Sequence, residues 1–266
     1  MSVNFDLNVY GFTSLGNRIK ISNVAKSYDG YSYVGGKIYY IDSTSDEVVE
    51  FYDENGEVIS NVAVGDTPYA YKVISAGTSG KDKYYVYHDA VFDSLKWAPT
   101  DYQSTEVGGT SREIGYGKSN TSTIMALNSG AYVVSGTVWY KVKELRDALT
   151  GGCNDWFLPS QKEAEELRKA IGFQVLTYSD AGVVVPAGAV TGGTIAGVAD
   201  GEVHDKGYES GNTRTCYPSD TKFINKYFWS SSESSATHSW TWYSTNQYWT
   251  NLTKSTSLSA FVVRAF

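Results

Sequence analysis

A chain of 266 residues with 41% hydrophobic residues is long enough for one large domain or two ordinary ones, and it carries enough apolar mass to exclude wholesale disorder. A net charge of −7 excludes the basic footprint that a nucleic-acid binder needs. No apolar run reaches the roughly 18 residues of a membrane-spanning helix, so no membrane insertion is expected.

The 26 Gly and 22 Tyr against 5 Pro favour strands and tight turns over long helices. The opening residues lack a basic stretch followed by an apolar one, so no signal peptide is expected. Val3, Phe5, Leu7 and Val9 alternate with Asn4, Asp6 and Asn8 and predict a strand. Further strands are predicted at residues 37–41, 48–52 and 58–64. The last two are joined by Asp53-Glu54-Asn55-Gly56, whose Asn-Gly pair tolerates positive φ. Residues 1–65 therefore read as a small β-rich N-terminal module, closed by the breaker Gly65-Asp66-Thr67-Pro68.

Two aromatic strands follow at 69–74 and 83–88. The first helix is expected where Val138, Val142, Leu145 and Leu149 share a face, and Gly151-Gly152 stops it. The second starts at Pro159-Ser160-Gln161-Lys162-Glu163, a capping box in which Ser160 and Glu163 satisfy each other's amides. Its stripe is Ala164, Leu167 and Ile171, and Gly172 ends it. Beyond it, residues 183–185 and 261–263 are the clearest strand cores, and the Gly/Thr/Asp-rich stretch 186–222 is expected to form long loops. Two helices set apart from antiparallel sheets give an α+β class.

Chemistry-bearing constellations are sparse. Cys153 and Cys216 make neither a disulfide framework nor a zinc site, and are either two separate thiols or one disulfide. His88, His204 and His238 lack metal-ligand spacing. No Ser/His/Asp or paired-carboxylate arrangement stands out, so the expectation is no metal, no cofactor and no enzymatic activity.

The sharpest local signal is Asp155-Trp156-Phe157-Leu158-Pro159-Ser160, an aromatic anchor running into a capped helix with Trp156 as a core residue. Three more segments accompany it: the glycine-rich Ile114-Gly115-Tyr116-Gly117-Lys118-Ser119-Asn120-Thr121, then Phe228-Trp229-Ser230-Ser231-Ser232-Glu233, and the terminal Val263-Arg264-Ala265-Phe266. Taken in chain order, with the glycine-rich segment first, the four motifs resemble the C-type lectin fold of the formylglycine-generating-enzyme subclass. The resemblance covers residues 66–266. It implies a lectin-like ligand-binding domain with two helices and antiparallel sheets behind the N-terminal module.

Within that domain, Trp229 to Leu258 holds four of the seven tryptophans and many Ser and Thr, and its only formal charges are Glu233 and Lys254. It resembles the variable region of diversity-generating retroelement proteins. In that family, template codons of the form A-A-pyrimidine become any base, any base, pyrimidine. Such codons reach Ser, Thr, Tyr, His, Leu and Asn but never Trp, Gln, Lys, Glu or Met. The resemblance therefore implies that Trp229, Glu233, Trp240, Trp242, Gln247, Trp249 and Lys254 are framework. It places the diversified, ligand-binding positions among Ser234, Thr237, His238, Thr241, Tyr243, Thr245, Tyr248, Asn251, Leu252, Ser255, Thr256 and Leu258.

Contact chemistry agrees without the family. Tyr and Trp supply large rigid contact area, Ser and Asn adapt their hydrogen bonds, and low charge limits desolvation. The competing reading of the same residues is a Ser/Thr-rich sheet edge around core tryptophans. The function implied is recognition of a variable protein or cell-surface ligand, displayed on a phage virion or a bacterial cell surface, with the N-terminal module as attachment. Three alternatives are a non-diversified lectin-fold adhesin or structural virion protein, a formylglycine-type oxidase, and a calcium-dependent sugar lectin. Neither Cys153 nor Cys216 sits in a fitting oxidase context. The calcium-lectin triplets Glu-Pro-Asn, Gln-Pro-Asp and Trp-Asn-Asp are absent. No heptad or collagen-like repeat points to a fibre trimer.

Overall fold

Where the sequence concentrates Tyr, Val and Ile with a period of two, the chain forms strands. The computed structural model describes residues 10–12, 18–20, 31–171, 173–178, 189–190, 214–218, 221–223, 226–244 and 248–266. Over these residues the protein is α+β, with three α-helices and several antiparallel sheets. The chain divides into two compact units. One takes residues 1–89, 143–156 and 263–266; the other takes 90–142 and 157–262.

The first unit holds β1 (Tyr10–Phe12), β2 (Arg18–Lys20), β3 (Tyr31–Tyr33), β4 (Lys37–Ile41), β5 (Val48–Tyr52), β6 (Val58–Ile59), β7 (Ala70–Ser75) and β8 (Tyr84–Tyr87). The second holds β9 (Phe92–Leu95), β10 (Phe173–Tyr178), β11 (Ala189–Val190), β12 (Arg214–Pro218), β13 (Tyr227–Glu233), β14 (His238–Tyr243), β15 (Tyr248–Thr253) and β16 (Leu258–Ala260). β17 (Val263–Ala265) belongs again to the first. The strands expected at 3–9 and 183–185 lie outside the described residues.

In the first unit the predicted turn closes the β5–β6 hairpin. Gly56 sits at φ +80°, and the Asp53 carboxylate accepts the amides of Asn55 at 2.9 Å and Glu57 at 2.8 Å. The strand expected to run from 58 to 64 stops at Ile59. Beyond it the Asp66 carboxylate takes the Ala63 amide at 2.8 Å and turns the chain out of the ladder. The boundary expected after residue 65 falls inside this unit, because β5 pairs with β7, and β4 pairs with β8. β17 pairs with β8 as well. Each of these strands has an apolar face to bury, and residues beyond Pro68 supply the neighbours. The core gathers Val34, Ile38, Phe51, Tyr71, Val86 and Phe266, with the Tyr71 and Phe266 rings stacked at 3.7 Å.

Arg264, from the terminal motif, is 4% exposed. It donates to Asp155 at 2.9 Å, to the Val34 carbonyl at 3.1 Å and to the Tyr33 carbonyl. Two of the motifs noticed in the sequence thus meet through one partly buried ion pair. Trp156 is fully buried in the same unit; its indole N–H reaches the Thr150 carbonyl at 2.8 Å, and His88 packs edge-on at 5.2 Å.

The second unit carries a five-stranded sheet in the order β15-β14-β13-β16-β9, antiparallel except for the β13–β16 pairing. A second sheet, β11-β10-β12, includes two strands from the stretch 186–222, where loops were expected; pairing with β10, rather than any periodicity of their own, defines them. The expected helices are α2 (Val138–Asp147) and α3 (Gln161–Ile171), and a third, α1 (Gly117–Ala126), precedes them. The expectation of two helices is corrected by α1, which lacks an apolar stripe. Its buried face is Gly117, Asn120, Thr121 and Ile124. Asn120 holds both backbone groups of Ser111, at 2.9 and 2.7 Å, and reaches the Ser231 hydroxyl at 3.1 Å. The Thr121 hydroxyl accepts the Leu158 amide at 3.1 Å and donates to the Leu158 carbonyl at 3.2 Å.

The capping box of α3 forms as expected. The Ser160 amide donates to Glu163 at 2.8 Å, and the Glu163 amide donates to the Ser160 hydroxyl at 3.3 Å. Glu163 also accepts the Gly115 and Gly117 amides at 2.9 and 3.1 Å, so one buried carboxylate ties the glycine-rich loop to the helix start. Leu95, Trp97, Ile124, Tyr132, Trp139, Leu158 and Trp229 form the core of this unit. Among the described residues no helix is long and apolar enough to cross a membrane.

Candidate ligand-binding surface

The hydroxyl-rich stretch occupies β13, β14 and β15, and its strands sort its residues by face. Phe228 and Trp242 stack at 5.3 Å and pack with Phe261. Trp249 pairs across the ladder with Trp242 and donates its indole N–H to Glu165 at 2.9 Å. Trp229 donates to the Leu95 carbonyl at 2.8 Å. All three tryptophans are at most 2% exposed. Trp240 differs: it is only partly buried, with the Arg112 guanidinium 4.3 Å above its ring.

Many hydroxyls of this stretch work inside the fold. Ser230, Ser231, Ser232 and Ser239 are fully buried. Ser230 donates to the Trp240 carbonyl at 2.9 Å and Ser239 to the Ser232 carbonyl at 2.8 Å. The Ser232 hydroxyl accepts the Gln161 amide at 3.1 Å and donates to the Ser111 carbonyl at 2.9 Å. Such bonds satisfy the backbone where the β13–β14 register shifts between Trp229 and Glu233.

The stretch's two formal charges meet. The Lys254 ammonium, with its side chain fully buried, pairs with Glu233, whose side chain is 6% exposed. Lys254 also donates to the carbonyls of Ala236 at 2.7 Å and Thr105 at 2.8 Å, and lies 4.8 Å over the Trp97 ring. Burial lowers the Lys254 pKa, and Glu233 opposes that shift. Glu233 in turn accepts the amides of Val107 at 2.9 Å and Gly108 at 3.0 Å. One ion pair therefore fastens three exposed segments together: the loop 104–109, the turn 234–237 and the turn 254–257. The Lys254 amide adds a bond to the Thr237 carbonyl at 2.9 Å.

On this frame Thr237, Asn251 and Ser255 are exposed, while Ser234, His238, Tyr243 and Thr256 are partly buried. The Thr237 hydroxyl lies 2.8 Å from His238 Nδ1, and the Thr253 and Thr256 hydroxyls lie 2.8 Å apart. Tyr243 stacks on Tyr227 at 4.1 Å at the opposite end of the strand. Thr241 is a correction to the proposed face. It is fully buried, with its hydroxyl given to the Thr250 carbonyl at 3.1 Å, because its strand phase is that of the core-facing Trp229. Leu252 and Leu258 pack against the core cluster. Thr245 and Gln247 lie outside the described residues; Tyr248 is described as part of β15.

Cys153 is a free, buried thiol, pushed up to about 12 by burial despite the Arg264 guanidinium 3.0 Å away. Cys153 therefore takes part in no disulfide, and the side chain of Cys216 lies outside the described residues. Among the described residues no three His, Cys, Asp or Glu side chains come together to hold a metal ion. Sequence reasoning missed the loop 104–109 and Arg112, which lie more than a hundred positions before the strands they adjoin. Glu233 and Lys254 stood out in the sequence only as the two formal charges of the stretch, and the pair that fastens these segments was missed as well. No protein family, no curated protein and no solved structure matches the chain.

Proposed function

We propose that the chain is a ligand-binding protein with a C-type-lectin-like domain whose residues 229–258 are diversified by a retroelement. The surface recognises a variable protein or cell-surface ligand from a phage virion or bacterial cell surface. The observation that carries this reading is the sorting of the stretch by burial. Trp229, Glu233, Trp242, Trp249 and Lys254, which A-A-pyrimidine codons cannot produce, have buried side chains. Thr237, Asn251 and Ser255, which they can produce, are exposed on turns and an edge strand. An exchangeable surface on an unexchangeable frame lets many side chains be tried without unfolding the domain. The buried Cys153 thiol, held protonated at neutral pH, favours binding over thiol-dependent oxidase chemistry.

The test is genomic. A near-copy of the bases encoding residues 229–258 should lie beside a reverse-transcriptase gene. The two copies should differ only at template adenines, with changed codons concentrated at Ser234, Thr237, His238, Asn251, Ser255 and Thr256. Absence of the copy, or changes spread evenly over buried codons, would reduce the protein to a non-diversified binding module.

A further inference from the structure

We infer that Trp240 is a constant contact residue for a protein partner, set between the buried Trp242–Trp249 pair and the exchangeable positions His238 and Asn251, and that Arg112 positions it. This inference rests on the proposed binding function.

The reasoning starts from burial. Six of the seven tryptophans are at most 2% exposed, namely Trp97, Trp139, Trp156, Trp229, Trp242 and Trp249. Trp240 alone keeps part of its indole at the surface. On its face of the ladder the buried Trp242–Trp249 pair lies to one side, and the proposed contact positions Asn251 and His238 lie beside it and to the other. Asn251 is its cross-strand partner, and His238 and Thr253 form the next pair on that side. Cross-strand pairs lie close enough to be covered together by one ligand.

The ring is also held in place. Arg112 covers it at 4.3 Å, and the backbone around Arg112 is pinned on both sides. The Ser111 amide bonds Asn120 at 2.9 Å, the Arg112 carbonyl accepts the Lys162 amide at 2.9 Å, and the Glu113 carbonyl accepts the Ser160 hydroxyl at 2.8 Å. A rigid indole loses little freedom on binding, which is why Trp and Arg recur where interface energy concentrates.

The chemistry of the face selects a protein partner. Thr237, Asn251, Thr253 and Ser255 are exposed and uncharged. Uncharged adaptable groups beside an aromatic–guanidinium pair make the composition of a protein–protein contact. A family that randomises its contacts gains from one anchor that its template codons can never alter. In this chain an indole at 240 meets that requirement.

The experiment uses the full chain displayed on yeast, with codons 237, 238, 251, 255 and 256 randomised in two libraries. One keeps Trp240 and the other carries Trp240→Ala. Both are selected against hen egg-white lysozyme as the probe protein and, in parallel, against yeast mannan. The expected result is lysozyme binders from the Trp240 library that weaken about 30-fold or more when W240A is introduced. W240F should recover part of the loss, and R112A should give a smaller loss with the indole retained. Thermal melts of purified clones separate lost binding from lost folding; where W240A does not fold, W240F and R112A decide the matter by the same criterion. Equally tight lysozyme binders from both libraries, or clones indifferent to these substitutions, would overturn the anchor and leave the binding function standing. Binders to mannan alone would overturn the protein partner. No binder from either library would overturn the binding function and the anchor with it.

Discussion

Replacing Lys254 with Met tests whether one buried ion pair organises the candidate surface. The substitution removes a fully buried ammonium and leaves Glu233, 6% exposed at its side chain, without its countercharge. The Val107 and Gly108 amides remain as donors to that carboxylate, while the Thr105 and Ala236 carbonyls lose theirs. Removing one partner of a buried pair destabilises by about 3–5 kcal/mol. The exposed pair Lys162–Glu113, with side chains 43% and 57% exposed, is an internal control whose loss should stay below about 1 kcal/mol. Guanidinium unfolding followed by tryptophan fluorescence should show a lower midpoint with an unchanged slope. The double variant K254M/E233Q should lose clearly less than the sum of the single losses, because the pair is coupled. Hydrogen exchange at residues 107 and 108 should rise, since their amides hang on Glu233. A K254M loss no larger than that of the surface control, or strict additivity in the cycle, would refute the organising role.

Other outcomes follow from single contacts. Burial pushes the Glu163 carboxyl from its ordinary value of 4.5 up to about 7, against the amides of Ser160, Gly117 and Gly115. The folded state therefore binds this proton more tightly than the unfolded one. That stabilisation is fully present below pH 4.5 and is lost as pH rises through about 7. The stability difference between wild type and E163Q, measured in urea, should shrink across this window; a flat or rising difference would count against it. In G117A the new Cβ would stand 2.1 Å from Glu163 Oε2 and 2.8 Å from the Ser160 nitrogen, so a loss of about 1–3 kcal/mol is expected in denaturant melts. In a C216S background the remaining Cys153 thiol, pushed up to about 12 by burial, should react with Ellman's reagent only on unfolding. Reaction at the rate of a free thiol in native buffer would contradict its burial.

What could be read from the sequence was local chemistry. The 48–59 hairpin announced itself through Asn55-Gly56, of which Gly56 alone takes the positive φ while Asp53 accepts the turn amides, and α3 because Ser160 and Glu163 cap it within one turn. What could not be read depended on distant partners. Helix α1 stabilises its inner face through Asn120 and Thr121, whose partners Ser111, Leu158 and Ser231 are set by tertiary structure; an apolar-stripe criterion passes over such a helix. The breaker near Pro68 marked a turn but not a boundary, because strand pairing ignores chain order when an apolar face needs covering. Strands as short as Ala189–Val190 exist only through their neighbour.

The candidate surface shows the same division within a single stretch. Ser and Thr there serve two purposes that composition cannot separate: Ser230, Ser232, Ser239 and Thr241 satisfy backbone groups in the core, while Thr237 and Ser255 face solvent. Strand phase separates them in part, since Thr241 shares the face of Trp229 and Trp240 shares that of Asn251. Glu233 and Lys254 stood out in the sequence as the only formal charges of the stretch, but not as a pair. Two lone charges of opposite sign in an uncharged, aromatic stretch must either face water separately or be buried together, because an unpaired buried charge is too unfavourable to persist. Their burial as a pair holds the turns between them in one geometry while those turns present uncharged side chains to solvent.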